Sequence, residues 1–377
     1  MSKICTALLS VLFVFNICYH TSAQAQLRVD VGGYMQSWYI ANQSTEVVTP
    51  SQGMAPALGR ETIETQGFRL RRARILTRAS INETFSVTSW IELAGTSPSL
   101  LCFYGDAQIR PWFTIRVGQI MMPGQSWDTA RNASSWLLFY DRAPITTTMS
   151  NAMGYTAFRD VGVMVYGQHG RLWYALQAGN GMGRFNQAGS NITQRKAGGG
   201  LYGARIDYEI VDGLTLGSHI ATNQQRDVML SGTGPFDIDR TSYSLRAATN
   251  NFGINGLFSQ IEYMSMTGKD DSRGLRLNQD EEYKLSGFYA QLGYRITREW
   301  HVIGRYDEMT EKPGQRGYAI DYDRAFSNNY IFGISRYIFD GNRELMRMHL
   351  NYGFGQSGPM DLDNSILVLV FQLRFIP

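Results

Sequence analysis

The sequence predicts an all-β protein that spans a membrane as a closed antiparallel β-barrel of about sixteen strands. Three features predict this fold: an export signal, segments in which apolar and polar residues alternate, and connections that are short and long in turn. No segment after residue 25 approaches the roughly 20 apolar residues that a membrane-spanning helix requires. A membrane-spanning form of this chain would therefore use strands.

The first 25 residues are organised like a secretory signal peptide. Lys3 gives a positive start, residues 4–17 are mostly apolar and uncharged, and the small-residue pattern read by signal peptidase follows directly. We expect cleavage after Ala23 or Ala25, which leaves 26–377 as a single outer-membrane barrel domain. A membrane anchor is the alternative, but the apolar run is too short for one.

The composition argues against several classes of protein. After the signal only Cys102 remains, so no disulfide can form within the mature chain. Cys18 is not preceded by the small residues expected of a lipoprotein signal. The 35 Lys and Arg residues nearly balance the 32 Asp and Glu residues, which predicts no nucleic-acid partner. No clustered metal-ligating residues predict a metal or another cofactor.

Alternation with a period of two runs through segment after segment, as expected of strands whose two faces meet different surroundings. In 204–210 and 346–351 every second residue is apolar, in 85–93 four of the five odd positions are, and most of the residues between are polar or charged. A water-soluble β-sandwich also alternates, with its apolar face in the core. The pattern within one strand does not separate the two folds.

The connections favour the barrel, because tight periplasmic turns and longer outer loops are typical of outer-membrane barrels. Short connections are predicted near 82–83, 110–111, 168–170, 212–213, 250–251, 297–298 and 340–342. Long connections are predicted near 41–62, 96–100, 122–156, 181–198, 224–239, 267–282, 311–326 and 354–363. A sandwich has no reason to keep every long loop at one end.

Aromatic residues near the strand ends are candidates for the two interfacial girdles of a membrane barrel. They are Trp112, Trp173 and Trp300 beside short turns, and Trp38, Tyr39 and Tyr352 towards the long loops.

Two segments do not indicate which face points outward. In 366–374 both faces are apolar over half the length. In 68–74 the parity that turns Phe68 and Leu70 outward would also place Arg72 and Arg74 in lipid. A β-bulge near Arg71 would switch the faces and remove this conflict.

Arginines on the polar face are predicted to line the lumen, because a charge facing lipid costs about 2–4 kcal/mol at the midplane. The predicted pore-lining residues are Arg72, Arg74, Arg110, Arg116, Arg205, Arg295, Arg305 and Arg347. A positive lining would favour anions. The alternative is that these arginines pair with carboxylates such as Glu92, Asp207, Glu209, Glu262 and Asp307, and stiffen the barrel.

The connection 122–156 is the longest, and a segment of this size in a compact domain is usually functional. Its aromatic residues favour folding into the lumen, where they would be buried. The predicted constriction residues are Asp128, Arg131, Asp141 and Arg142. The alternative is an external loop that packs against a neighbouring protomer.

Four ordered segments resemble the phosphate-selective porin O and P family. They are 67–74 (GFRLRRAR), 113–119 (FTIRVGQ) followed by Pro123, 159–163 (RDVGV), and 174–181, which ends in GNG. The resemblance implies a sixteen-stranded trimeric channel with its third loop inside the pore and passive anion passage. It also implies a pore-lining role for Arg72, Arg74 and Arg116. No lysine occurs in 122–156, so phosphate specificity is not predicted.

The sequence thus predicts an outer-membrane porin that is not an enzyme, passes small hydrophilic solutes with an anion bias, and has lipids and two further protomers as partners. A secreted or outer-membrane β-protein with a binding role is one alternative. A hydrolase is another, which would need a nucleophile activated by a base such as His219, His301 or His349.

Overall fold

The computed structural model describes residues 27–42, 66–95, 97–122, 139, 142–154, 158–183, 192–193, 200–230, 233–271, 282–312, 325–358 and 364–375. The predicted signal peptide lies outside this range. These residues form one antiparallel sheet with a single helix of nine residues. No helix in the described ranges is long and apolar enough to cross a membrane.

Sixteen strands form the wall. They are β1 (Arg28–Asn42), β2 (Gly67–Ser80), β3 (Phe85–Glu92), β4 (Ser99–Arg110), β5 (Phe113–Met121), β6 (Arg159–His169), β7 (Leu172–Gly179), β9 (Gly200–Val211), β10 (Leu214–Leu230), β11 (Thr233–Asn250), β12 (Leu257–Asp270), β13 (Glu282–Arg295), β14 (Trp300–Lys312), β15 (Ala325–Asp340), β16 (Arg343–Gly358) and β17 (Asn364–Phe375). The two-residue strand β8 (Ile192–Thr193) pairs with the end of β10. The helix α1 (Pro144–Ala152) lies between β5 and β6.

The sheet closes because β1 pairs with β17, in antiparallel register from Gly33 opposite Phe375 to Asn42 opposite Ile366. The aromatic ring of Phe375 occupies the space into which a side chain at position 33 would project. Closure leaves no wall strand with an unpaired edge, which a barrel in hydrocarbon requires. The predicted sixteen-stranded antiparallel barrel is confirmed.

The apolar face of the strands points outward. In β9, Ile206 and Tyr208 are at least half exposed, whereas the alternating residues Arg205 and Asp207 are buried on the inner face. Leu292 of β13 is likewise more than half exposed. The same alternation holds in β16, where Leu350 is exposed and Arg347 is 3% exposed. A water-soluble sandwich would bury its apolar face, so the structure takes the arrangement of a membrane barrel.

The bulge predicted near Arg71 is present. Gln36 of β1 pairs with Arg72 and the next residue, Ser37, pairs with Leu70, so Arg71 is the extra residue of the bulge. The extra residue switches the faces of β2. Leu70 therefore points outward at 50% exposed and Arg72 points inward at 2% exposed.

The two apolar faces of β17 have different partners. Ile366, Val368 and Val370 are buried on the inner face, where they pack in one cluster with Phe139 from the connection between β5 and β6. Leu373, from the other parity, is 51% exposed on the outer face. The inner aliphatic residues avoid water because the connecting segment folds over them.

Most predicted connections agree with the structure, but the long loop near 224–239 does not. β10 continues to Leu230 and β11 begins at Thr233, so the two strands form an extended ribbon joined by 231–232. The many polar residues of this stretch suit strands that extend beyond the membrane into water. The prediction of a loop was wrong because polar residues occur both in loops and in strands that extend into water. Polarity alone does not distinguish these two structures.

Two of the predicted girdle residues point inward instead. Trp38 is 1% exposed in the interior, and its neighbour Tyr39 takes the outward position, because adjacent strand residues face opposite ways. Trp173 also lies inside, with the guanidinium carbon of Arg205 4.7 Å from its ring centroid. Trp112, Trp300 and Tyr352 are exposed on the outer surface as predicted.

Candidate functional site

The helix α1 crosses the interior of the barrel. It begins at Pro144, which has no N–H to leave unpaired at the first helical position, and the chain leaves the helix at Gly154 with a φ of 88°. Ile145 and Met149 are fully buried. They share one apolar cluster with inward residues of the wall, including Ile120, Leu201, Ala221, Met264, Met266 and Leu285.

The helix is tied to the wall at its carboxyl end. The side-chain amide of Asn223 on β10 donates to the carbonyl of Met153 at 2.6 Å and to the carbonyl of Gly181 at 2.7 Å. Asp160 on β6 accepts a hydrogen bond from the N–H of Gly181 at 2.6 Å. Buried polar anchors of this kind hold both connecting segments at a defined depth in the lumen.

A row of interior residues runs around the wall beside α1, with one residue from each strand from β9 to β15. We call it the polar row, and its members stand directly opposite one another in register: Asp207, Gly217, Arg246, Glu262, Tyr289, Asp307 and Asn329.

The charged members of the polar row are paired and buried. Nη1 of Arg246 lies 3.3 Å from Oε1 of Glu262, and both side chains are completely buried. The hydroxyl of Tyr289 donates to the other oxygen of Glu262 at 2.8 Å. Arg305 donates to Asp307 at 3.0 Å from its own strand, and the amide of Asn329 donates to Asp307 at 2.6 Å. The charged groups of the polar row are therefore shielded from solvent.

The interior of β2 to β6, which we call the open wall, differs from the polar row because two of its ion pairs are partly exposed. Arg116 on β5 donates to both oxygens of Asp106 on β4, at 2.7 and 2.9 Å. Its guanidinium carbon lies 4.0 Å from the ring centroid of Tyr104 and 4.8 Å from that of Tyr166. The side chain of Arg116 is nevertheless 19% exposed, and that of Asp106 is 11% exposed.

A second ion pair of the open wall joins β2 and β3. Nε of Arg74 lies 2.7 Å from Oε2 of Glu92, and the arginine also donates to the hydroxyl of Tyr34 at 2.8 Å. The Arg74 and Glu92 side chains are 16% and 13% exposed. Both pairs place charged groups at the edge of the accessible space inside the barrel.

The eight predicted pore-lining arginines fall into three groups. Five of them form salt bridges in the interior: Arg74, Arg116, Arg205, Arg305 and Arg347. Arg72 is buried and donates to the side chain of Gln36. Arg295 binds Asn250 and Asn251 of the neighbouring short turn, and Arg110 is exposed at the short turn between β4 and β5.

Of the predicted constriction residues, Arg142 is the one that the structure describes. Arg142 lies just before α1, and its guanidinium carbon is 4.5 Å from the ring centroid of Phe158. Asp128, Arg131 and Asp141 lie outside the described residues. For Phe139 and α1, the folding of the long connection into the lumen is confirmed.

Several interior partners were missed from the sequence. Asp106, Tyr166 and Asn329 complete the networks around Arg116 and Asp307, yet none lies near its partner in sequence. Parity along each strand places these residues on the inner face. The register between strands, which decides the pairs, could not be read from the pattern alone.

A serine–histidine pair bears on the hydrolase alternative. The hydroxyl of Ser335 lies 2.6 Å from Nδ1 of His349. Both residues are at most 1% exposed, and within the described ranges no carboxylate contacts His349. Among those residues, no group of three or more His, Cys, Asp or Glu side chains is arranged to hold a metal ion. The pair has the geometry of a buried structural contact.

Solved structures that resemble this barrel are outer-membrane proteins. A loop-deletion mutant of OmpT, an outer membrane protein of Vibrio cholerae, superposes with a TM-score of 0.63 at 9% identity, over 92% of this chain and 99% of that one. The outer membrane channel DcaP of Acinetobacter baumannii gives 0.58 at 11% identity, over 94% and 99%.

This chain is an outer-membrane β-barrel. The fold and the location in the outer membrane of a Gram-negative type cell follow from three observations: the apolar exterior, the closed sheet and the likeness to known outer-membrane barrels. No protein-family model matches the sequence, and no curated protein matches it either.

Proposed function

We propose that this outer-membrane barrel is a porin, through which small hydrophilic solutes diffuse without energy input. The observation that carries the proposal is the partial exposure of the ion pairs Arg116–Asp106 and Arg74–Glu92 on an interior face. Charged groups that touch accessible space inside a barrel suit a water-filled passage. The likeness in fold to a solved outer membrane channel supports the same assignment.

The passage runs along the open wall. The helix α1 contacts β12, β13 and β14, and the polar row beside it is buried. On the open wall the Arg116–Asp106 and Arg74–Glu92 pairs are partly exposed, although Arg72 and Asp160 are buried there. Ile120 and Met164 of β5 and β6 share the apolar cluster of α1. The folded-in segment therefore narrows the lumen and leaves the partly exposed ion pairs of the open wall to line the path of the solute.

The charge of the open wall favours anions. Among its described residues, seven arginines face the interior or the bulge beside Trp38, against three carboxylates: Arg69, Arg71, Arg72, Arg74, Arg78, Arg116 and Arg159 against Glu92, Asp106 and Asp160. A positive lining lowers the barrier for anions. Pairing with carboxylates weakens this effect, so we propose a modest preference for chloride over potassium and no dedicated phosphate site.

We further propose that the barrel forms a homotrimer. The Vibrio cholerae protein OmpT, which shares this fold with a TM-score of 0.61 at 9% identity, was solved in a trimer form. Light scattering of the detergent-solubilised protein, corrected for bound detergent, should give three times the mass of one chain. A monomeric mass for protein that shows the heat-shifted mobility of a folded barrel would contradict the trimer and leave the channel intact.

Solute flux into vesicles tests the porin proposal. Purified protein in liposomes should admit small sugars rapidly and exclude larger ones, with a cut-off set by the segment that contains α1. Liposomes that contain folded barrels and stay as tight as empty ones would overturn the proposal. An esterase or peptidase activity that disappears in His349→Ala would instead favour the hydrolase alternative.

A further inference from the structure

Lysine is rare in this chain, and its distribution is uneven. The sequence contains five lysines, of which one is in the predicted signal peptide. Three of the other four are Lys269, Lys284 and Lys312, which lie exposed near the ends of β12, β13 and β14. We call them the lysine patch. All three belong to the outward parity of their strands, so they face away from the lumen.

The lysine patch brings like charges together. Lys284 and Lys312 stand directly opposite each other on β13 and β14, and Lys269 stands opposite Glu282 in the next pair. Directly opposed like charges destabilise a sheet unless a counter-charge lies between them. Among the described residues, none forms a salt bridge with these three ammonium groups.

A groove accompanies the patch. Its volume is about 610 Å³, and its lining includes the three lysines together with Arg226, Asp239 and Glu282. Asp239 is occupied by Arg226, which donates to both of its oxygens at 2.9 and 2.7 Å. Lys269 stands opposite Asp239 on β11 as well as opposite Glu282 on β13. The lining carries five cationic side chains, the three lysines with Arg226 and Arg240, against the two carboxylates of Asp239 and Glu282, so the groove presents a net positive charge to an outside ligand.

The depth of the patch is set by a belt of aromatic side chains on the outer surface. Tyr306 contacts Phe288 and Tyr330 with ring centroids 5.5 and 4.8 Å apart, and Tyr330 stacks on Phe354 at 5.2 Å. Such a belt marks the membrane interface. Lys284 lies four residues beyond Phe288 towards the long connections. That is roughly 13 Å along a tilted strand, at the level of the lipid headgroups.

We infer that the lysine patch binds the phosphorylated headgroup of a glycolipid in the outer leaflet, which in a Gram-negative type outer membrane is lipopolysaccharide. The phosphate supplies the counter-charge that Lys284 and Lys312 lack, and the acyl chains lie against the aromatic belt below. Clustered basic residues at a membrane surface are a recognised means of binding anionic lipid headgroups. The inference is independent of what passes through the lumen.

Binding of lipid A to the purified barrel in detergent tests the inference. The triple variant Lys269→Gln, Lys284→Gln, Lys312→Gln should bind bisphosphorylated lipid A about tenfold or more weakly than the unmodified barrel does. The matched control replaces three exposed cations at the short-turn end, Arg28, Arg110 and Arg343, with Gln, and should bind like the unmodified barrel. A heat-shifted gel band confirms that each variant is folded.

Three outcomes would overturn the inference. Equal affinity for bisphosphorylated and dephosphorylated lipid A would show that the phosphates are not recognised. Inorganic phosphate binding the patch as tightly as the lipid would identify a site for free anions. A triple variant that loses its oligomeric state but keeps its lipid affinity would identify the patch as an interface between copies of the chain.

Discussion

Nε of Arg246 lies 2.8 Å from Oδ1 of Asp207, although β9 and β11 are separated by β10. The residue of β10 between them is Gly217. A Cβ at this position would overlap Oδ1 of Asp207 and come within 2.6 Å of Nε of Arg246. Because Gly217 has no side chain, the buried ion pair between Arg246 and Asp207 can reach across β10 along the polar row.

Gly217→Ala should consequently destabilise the barrel. The added methyl group has to displace a buried guanidinium or a buried carboxylate, and overpacking of this kind costs about 1–3 kcal/mol. The free energy of unfolding in urea, measured for the barrel in lipid, would show the loss. Gly105→Ala is a matched control, because its Cβ would meet its nearest atom at 3.9 Å. Equal stability of the two variants would contradict the role of Gly217.

Glu262→Gln should be among the most damaging single substitutions in the interior. The change removes the charge opposite Arg246 where both side chains have no exposed surface, and breaking a buried pair costs about 3 kcal/mol or more. Asp212→Asn breaks the pair with Arg171 at a turn, where the Asp212 side chain is 92% exposed. That control should change the unfolding free energy by less than about 1 kcal/mol. Similar losses of unfolding free energy in both variants would contradict the claim that burial decides the cost of breaking an ion pair.

Deletion of Arg71 should prevent assembly of the barrel. Without the extra residue, the inner-face and outer-face positions on one side of the bulge exchange places. Either Phe68 and Leu70 would turn into the lumen, or Arg72 and Arg74 would turn into lipid. Deletion of Gly341 in the short turn between β15 and β16 keeps the parity of every strand and is the control. Heat-shifted mobility in the Arg71 deletion equal to that of the control would contradict this account.

The sequence predicted most of the barrel because a membrane strand repeats its two environments every second residue. The faces of β9, β13 and β16 follow directly from that repeat, and the bulge at Arg71 follows from a conflict between Leu70 and Arg72. The ribbon formed by β10 and β11 was not predicted, because strands beyond the membrane lose the apolar half of the pattern.

The interior was less predictable than the wall. Parity indicates that Arg116, Arg205 and Arg246 point inward, but it does not indicate which carboxylate each one meets. Those pairings depend on register, on gaps such as Gly217, and on the segment that covers one side of the lumen. The sequence left open whether these arginines attract anions or brace the barrel, and the structure shows most of them paired.

Substitutions at Asp106 and at Arg116 should change the ion selectivity in opposite directions. Asp106→Asn should increase the preference for chloride over potassium, because the guanidinium then keeps its charge without a carboxylate beside it. Arg116→Gln should shift the reversal potential in the opposite direction. Reversal potentials in a salt gradient across a planar bilayer measure both. Identical potentials for the two variants and the unmodified barrel would show that permeant ions do not approach this pair.

Thiol modification of a cysteine at position 74, followed by single-channel recording, tests the central claim most directly. In a Cys102→Ser background, Arg74→Cys should conduct in discrete steps, and a charged methanethiosulfonate should reduce each step because the open wall lines the passage. Tyr243→Cys on the outer face, where the tyrosine is 45% exposed, should keep its current. A folded barrel without conductance steps, or a current at position 74 that full modification leaves unchanged, would contradict a water-filled passage along this wall.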